Sequence, residues 1–270
     1  VHDSAWMPTG LDPDVPSAAR VYDYFLGGHH NLAVDRAFAH RAAQALPDLP
    51  LILRTSRHFL RRAVHFLLDV GVTQFLDLGS GIPSAGNVHE IAQSVTGDSR
   101  VVYVDRDAVA IAHAGLMLEG DDHAVALRAD MRRPWDVLHS DAVTKMLDLS
   151  QPVAVLLSAV LHFVPDDAEA QSIVAGYRGA LAPGSYIVIS QGTKEPAGRR
   201  GDDVIRLYEE TDSPFTARDR AQFTALFKGL ELVEPGVVYV PQWRPETPED
   251  VDDHPERSCA FGAIGRKPMF

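Results

Sequence analysis

Along the chain, two textures of apolar and polar positions alternate. From Ser17 to about Val70 the pattern is helical, with Gly27-Gly28, Pro47 and Pro50 as stops, and no strand is needed before Thr73. After Gly71 come short β-rich apolar runs at 74–78, 101–104, 124–127, 153–157 and 186–189, separated by helix-sized intervals. That rhythm predicts parallel strands joined by right-handed helical crossovers, with helices over 87–95, 108–118 and 168–181. Pro183-Gly184 breaks the chain before the fifth strand.

The segment 192–213, rich in Gly, Lys, Arg and Asp, reads as a mobile connection at a rim. Thr216-Ala-Arg-Asp219 has the form of a capping box, and its helix should stop near Gly229. Two late strands are expected, over 237–240 and 259–264, joined by an acidic, proline-rich loop through Glu246, Glu249, Asp250, Asp252 and Asp253. There is no internal repeat. The reading is a single α/β domain: a helical cap over 1–70, a cofactor-binding core over 71–195, and a tail of rim loop, helix and terminal β-hairpin over 196–270.

Composition narrows the function more than the fold. With 46% hydrophobic and 23% charged residues in 270, a sizeable core needs no metal or disulfide. The single Cys259 has no partner for an intramolecular bridge, and no Cys/His group has the spacing of a structural zinc site, so a reducing cytoplasm is the expected compartment. The start through Asp3, Trp6, Pro8 and Asp12 lacks the pattern of a secretory leader, and no run has transmembrane length. A net charge of -12 opposes binding to nucleic acid and favours a small-molecule substrate.

Candidate chemistry begins at Phe75-Leu-Asp-Leu-Gly-Ser-Gly81, an apolar strand running into a turn with two glycines. Without a Cβ at Gly79 and Gly81 the backbone accepts positive φ and approaches a ligand closely, although a ligand-free strand-to-helix turn has the same form. Asp105 closes the next strand and is placed to accept from both hydroxyls of a ribose; capping the following helix is the other reading, for which Asp107 is better placed. Asp130, after the third strand, is placed to accept from an adenine amino group, with Met131 offering a backbone N–H and an apolar contact; a surface aspartate is the alternative. A nicotinamide enzyme would favour G-x-G-x-x-G, but Ser84 stands at the third position and Asp77 precedes the first glycine, which favours S-adenosylmethionine.

A family resemblance rests on Ala19-Arg-Val-Tyr-Asp-Tyr-Phe-Leu-Gly-Gly28 with Asn31 and Asp35, Phe75 to Gly81 with Gly86-Asn-Val-His-Glu90, Val101 to Asp105, Leu161-His-Phe-Val-Pro-Asp166, and Leu181-Ala-Pro-Gly-Ser-Tyr186. Over about 17–268 the chain resembles a bacterial family of S-adenosylmethionine-dependent methyltransferases long carried as a domain of unknown function. The resemblance implies a Rossmann-like class I methyltransferase fold, with a seven-stranded, mostly parallel sheet whose last, antiparallel strand is the Cys259 segment. It implies that Asp77, Gly79 and Gly81 bracket the methionyl part of the cofactor, that Asp105 meets the ribose and Asp130 with Met131 the adenine, and that Ser158 to His162 lie beside the sulfonium. His29 and His30 depart from the charged pair expected after the double glycine.

Methyl transfer from a sulfonium to a small-molecule acceptor, with S-adenosylhomocysteine as product, needs alignment and exclusion of water more than acid–base chemistry. His162 is the first candidate for a base, and a histidine of the site wall with no proton to move is the alternative. Tyr22 and Tyr24, with Phe25, form either an aromatic lid or the buried side of a helix that Gly27-Gly28 stops. Arg54, Arg57 and Arg61 share one helix face; Arg57 is the choice for meeting a carboxylate, against a solvated basic face. Two other classes remain at this point, a non-catalytic S-adenosylmethionine-binding module and a nicotinamide-dependent oxidoreductase.

Overall fold

Five runs of the chain form parallel strands: β1 (Gln74–Leu78), β2 (Arg100–Asp105), β3 (Ala124–Arg128), β4 (Ala154–Ser158) and β5 (Tyr186–Gly192). They stand in the order β3-β2-β1-β4-β5, so the chain moves outward from β1 to one edge, then returns to β4 on the other side of β1. The structure is a computed structural model and describes residues 12–83, 86–193, 195–196, 198–211, 213–247, 251 and 253–269, with the side chains of 198–200 left aside. Ser84 and, in the acidic loop, Glu249, Asp250 and Asp252 lie outside the described residues.

The antiparallel β8 (Ala260–Arg266) pairs with β5 along its whole length, from Tyr186 opposite Arg266 to Gly192 opposite Ala260. The sheet has eight strands, not seven. Beyond β8 the edge is split into β6 (Glu231–Leu232), paired with Arg266 and Gly265, and β7 (Val238–Tyr239), paired with Gly262 and Phe261. A turn at Gly236 (φ 81°) separates the two, and a two-residue strand such as β6 carries no periodic signal in sequence.

Alternation along each strand divides the core into two layers. Phe75, Val101, Tyr103, Ala154, Leu156 and Val188 pack with α3 (Leu49–Asp69), α4 (Val88–Val95) and the end of α5 (Ala108–Met117). Leu76, Leu78, Val102, Val104, Leu157 and Ile189 face α6 (Pro134–Leu138), α7 (Asp141–Met146), α8 (Asp167–Ala180) and α10 (Arg220–Ala225). Asp77, on the Phe75 side, is thereby turned toward α3.

The N-terminal helices α1 (Ala18–Phe25) and α2 (Ala33–Ala45) share a separate apolar cluster with α9 (Gly198–Tyr208), through Val21, Phe38, Leu46, Ile52, Val204 and Tyr208. α9 corrects the expectation of a mobile rim connection. Its apolar residues, Val204, Ile205, Leu207 and Tyr208, crowd into the C-terminal half behind a start rich in Gly, Arg and Asp, which hides the helical stripe. The expected cap of the next helix also moves: Asp219, not Thr216, is the N-cap of α10, in a capping box with Gln222. Pro47 separates α2 from α3, but Pro50 lies inside the first turn of α3, where its missing N–H has no helical partner to lose.

The double glycine has a structural explanation. Gly27 (φ 82°) ends α1 in the left-handed conformation that glycine adopts most easily. A Cβ on Gly28 would overlap the Asp23 carboxylate, whose Oδ2 accepts from His30 N (2.9 Å) and Asn31 Nδ2 (2.8 Å). One turn earlier, Arg20 Nε donates to Asp35 Oδ2 at 2.7 Å, with side chains only 3% and 0% exposed. Asp35 also accepts from Ser17 N (3.0 Å) and Leu32 N (2.7 Å). Among the described residues, no helix is long and apolar enough to cross a membrane.

Removing one partner of a buried pair strands the other charge, at a cost of about 3–5 kcal/mol. Asp35→Ala should therefore lower the midpoint of thermal unfolding by roughly 6–20 °C for a domain of this size. Replacing both partners, as Arg20→Met with Asp35→Leu, should cost clearly less. Equal losses in the two proteins would show that the backbone bonds to Asp35, not the ion pair, hold the cap.

Candidate active site

Where the strand order reverses, the carboxyl ends of β1 and β4 diverge and leave a crevice. The helical cap roofs it, giving a cavity with about 1740 Å³ of empty space, counting its open mouth. Its floor is the glycine turn. Gly79 N and Ser80 N both donate to Val104 O (2.7 and 3.2 Å), and Gly79 and Gly81 each have φ 67°. A Cβ on Gly79 would overlap Val160, whereas one on Gly81 would meet open space.

Gly81 N donates to Asp105 Oδ2 (2.8 Å), and Asp107 N to Asp105 Oδ1 (2.8 Å), so each carboxylate oxygen is half satisfied and keeps a lone pair for a ligand. Burial raises the pKa of Asp105, and these two backbone bonds lower it in part. Asp107 is the cap of α5, accepting from Val109 N (2.7 Å), and its other oxygen takes Ser17 Oγ (2.8 Å), which ties the cap to the sheet edge. Capping of α5 thus falls to Asp107 and leaves the Asp105 carboxylate free of that task.

Asp77 is buried and lies near Arg57 of α3. Burial pushes its pKa up to about 7, Arg57 opposes that shift, and Asp105 adds to it. Arg57 Nη2 donates to Gly86 O (3.1 Å) and Asn87 Oδ1 (3.2 Å), while its Nε is buried with no partner. Arg54 and Arg61, on the same helix, are exposed and do not line the cavity. Tyr22 does line it, near Arg57 and Asp77, and burial keeps its phenol protonated. Tyr24 does not: its hydroxyl is 2.8 Å from His40 Nε2 and its ring packs against Phe25, so the aromatic lid reduces to Tyr22.

Asp130 also lines the cavity, but its carboxylate is engaged by Arg132, whose Nε lies 3.0 Å from both oxygens and whose N–H donates to Oδ1 (3.0 Å). The acceptor capacity offered to an adenine amino group is taken by Arg132, which lies two residues on and lines the cavity as well. Met131 lines the cavity and accepts at its carbonyl from the Tyr177 hydroxyl (2.9 Å).

At the end of β4, Ser158 Oγ lies 3.1 Å from Ser190 Oγ, and Ala159 has φ 54°. A left-handed alanine costs of order 1 kcal/mol and persists where surrounding bonds over-determine it. Here Ala159 N is held by Ser190 O (3.0 Å) and Ser190 Oγ (3.1 Å). His162 follows on a single 3-10 turn, Leu161–Phe163, its ring against those of Phe163 (centroids 4.3 Å apart) and Phe215 (4.4 Å). Its Nδ1 is buried without a partner, and burial together with the nearby Arg218 lowers its pKa to about 3.

Arg218 and Gln191 were not legible as site residues. Arg218 is 1% exposed and stitches the loop after β4, donating to Asp167 Oδ1 (2.7 Å), Leu161 O (2.9 Å), Val164 O (2.7 Å) and Gln191 Oε1 (3.3 Å). Gln191 leaves its Nε2 buried and unpartnered. Among the described residues seven buried side-chain polar atoms lack a partner; four of them, Arg57 Nε, Ser80 Oγ, His162 Nδ1 and Gln191 Nε2, belong to residues lining this one cavity. Orphans are costly in a finished core, so their convergence marks a place built for a polar ligand.

A family model described as S-adenosyl methyltransferase matches residues 4–268. The chain belongs to that family. Among solved structures, it is 39% identical to a protein of Thermobifida fusca YX described as a putative methyltransferase, with TM-score 0.91 and coverage of 98% of this chain and 100% of that one. It is 38% identical to a DUF574 family protein of Streptomyces avermitilis MA-4680, again at TM-score 0.91, covering 95% and 99% of the two chains. No curated protein matches it. With the family shown, the protein is an S-adenosylmethionine-dependent methyltransferase of Rossmann-like fold, and the nicotinamide reading falls.

The environment of His162 argues against the general base expected of it. An imidazole that protonates only near pH 3 is neutral at working pH and a weak base, though still able to make a hydrogen bond through Nδ1. NMR of ring-labelled histidine, with His162 assigned by its loss in His162→Gln, should show that resonance unchanged between about pH 5 and 8. A titration midpoint inside that range would restore the base.

Proposed function

We propose that this cavity holds S-adenosylmethionine over the β1 to β3 edge and a small-molecule methyl acceptor over the β4 to β5 edge. The reading is carried by four orphaned polar atoms whose residues all line one cavity. The residues fit the cofactor: Asp105 retains acceptor capacity for ribose hydroxyls, Gly81 leaves room for a close approach, and Met131 offers an apolar wall for a base. Asp77 and Arg57 would meet the oppositely charged ends of the methionyl part, the ammonium compensating a buried carboxylate and the carboxylate engaging Arg57 Nε. Asp130 is left to Arg132.

Bound S-adenosylmethionine supplies a methyl group on an already activated sulfonium leaving group. The protein then has to align and desolvate. Ser158, the strained Ala159 and Val160 fix the floor beside the transferred group, while Tyr22 and His162, both held neutral by burial, act as walls and hydrogen-bonding partners. With His162 neutral, the favoured acceptor atom has a free lone pair at neutral pH or loses its proton to water.

Titration of the protein with S-adenosylhomocysteine tests the cofactor half. Asp105→Ala should weaken binding by about tenfold or more, the equivalent of one good hydrogen bond to a charged group, while the unfolding midpoint without ligand stays near that of the parent. Unchanged affinity would remove the ribose assignment.

The buried Asp77 adds a pH signature. Below its pKa of about 7 the carboxyl is neutral and cannot pair with an ammonium group, so affinity should rise with pH up to about 7 and then level off. Asp77→Asn should bind more weakly at high pH and lose this slope. A slope that survives the substitution assigns it to another group.

A further inference from the structure

The two halves of the cavity differ in chemistry. All the acidic residues among its described lining, Asp77, Asp105, Asp107 and Asp130, stand at the ends of β1 to β3 or in the loops that follow. The lining residues contributed by the ends of β4 and β5, by α9 and by 213–217 are uncharged among those described, and the cation that reaches them is Arg106, whose Nη2 donates to Ser213 Oγ (2.7 Å). The walls of the half over β4 and β5 are Leu49, Ile52 and Leu53 from the cap, Ile205 and Tyr208 from α9, and Phe163 with Phe215. Phe215 is seated on the bare backbone of Gly192, where a Cβ would come within 2.6 Å of its ring.

Two of the residues lining this apolar half carry a buried polar atom without a partner, the donor Gln191 Nε2 and the neutral His162 Nδ1. Gln191 is fixed from behind, its Oε1 accepting from the buried Arg218, which sets the amide nitrogen as the free end. Among the described residues a cationic acceptor would find no carboxylate here, and an anionic one would meet Arg106 only where its Nη2 is already given to Ser213 Oγ. A flat apolar molecule with one hydroxyl or carbonyl on its edge would satisfy both orphans and cover the aromatic walls.

We infer that the methyl acceptor is an uncharged aromatic compound bearing an oxygen substituent, bound between Ile205, Phe215 and the cap with that oxygen at Gln191 and His162. This rests on the preceding reading for the methyl donor, but its apolar pocket is testable without the donor.

The probes are naphthalene, 2-naphthol, naphthalene-2-carboxylate and 2-naphthylmethylammonium, titrated by fluorescence into the protein with and without saturating S-adenosylhomocysteine. 2-Naphthol should bind saturably and more tightly than either ion. Ile205→Trp, which fills the pocket, should weaken it by about tenfold or more while S-adenosylhomocysteine affinity stays unchanged. Gln191→Leu should erase the preference for 2-naphthol over naphthalene, a readout that a merely structural role for Gln191 would not move.

No saturable 2-naphthol binding, tighter binding of an ion, or binding indifferent to Ile205→Trp would each overturn the proposal; a preference that survives Gln191→Leu would overturn the placement of the oxygen. If S-adenosylhomocysteine fails to bind but 2-naphthol binds and is lost in Ile205→Trp, the aromatic site stands and the donor reading falls.

Discussion

The site depends on one topological constraint: β1 has parallel neighbours on both sides, β2 reached directly from β1 and β4 by a crossover from β3 that runs back past β1, so that the chain then winds in the opposite direction. Crossovers of a single hand place their helices on opposite faces when the direction reverses, so no helix closes the gap above the carboxyl ends of β1 and β4. An opening at that point is built into the order of the strands. The glycine turn, Asp105 and the strained Ala159 then follow as ways of finishing strand ends that have no covering layer.

What closes the opening is the N-terminal cap, held by charges rather than by the sheet. The Arg20–Asp35 pair sets α1 against α2, and Ser17 joins that unit to Asp107 at the end of β2. Tyr22 reaches the cavity from this unit, while Arg57 comes from α3, which packs on the sheet itself. The motif containing Gly27-Gly28 and Asp35 therefore serves the site indirectly: it shapes the roof, while the chemistry comes from the residues the roof carries.

Legibility in the sequence followed locality. The five parallel strands and their main helices were readable because each is a run with its own period or its own breaker, and β1 lies where the pattern puts it. The place of Asp77, Gly79, Gly81 and Asp105 at the cavity was readable for the same reason, each being tied to the end of a strand. β6 has two residues and no period, and α9 hides its apolar half behind a polar start. Arg218 was invisible because its importance lies in four contacts with residues 27–57 positions away. Tyr24 and Asp130 misled for a related reason, since the partners that draw them off, His40 and Arg132, are identified by geometry and not by residue type.

The same contrast explains the division of labour in the cavity. On the β1 to β3 side, carboxylates are tolerated in a buried setting because backbone N–H groups or arginines stand against them, as Gly81 and Asp107 do for Asp105. On the β4 to β5 side the buried Arg218 spends its donors on backbone carbonyls, Asp167 and Gln191, and so orients the amide of a residue that lines the cavity. Burial, with the positive field of Arg218 added to it, keeps His162 unprotonated. A charge buried behind the wall, with neutral groups in front, lets the pocket recognise a polar edge without attracting an ion, and it leaves water little reason to stay between the aromatic rings.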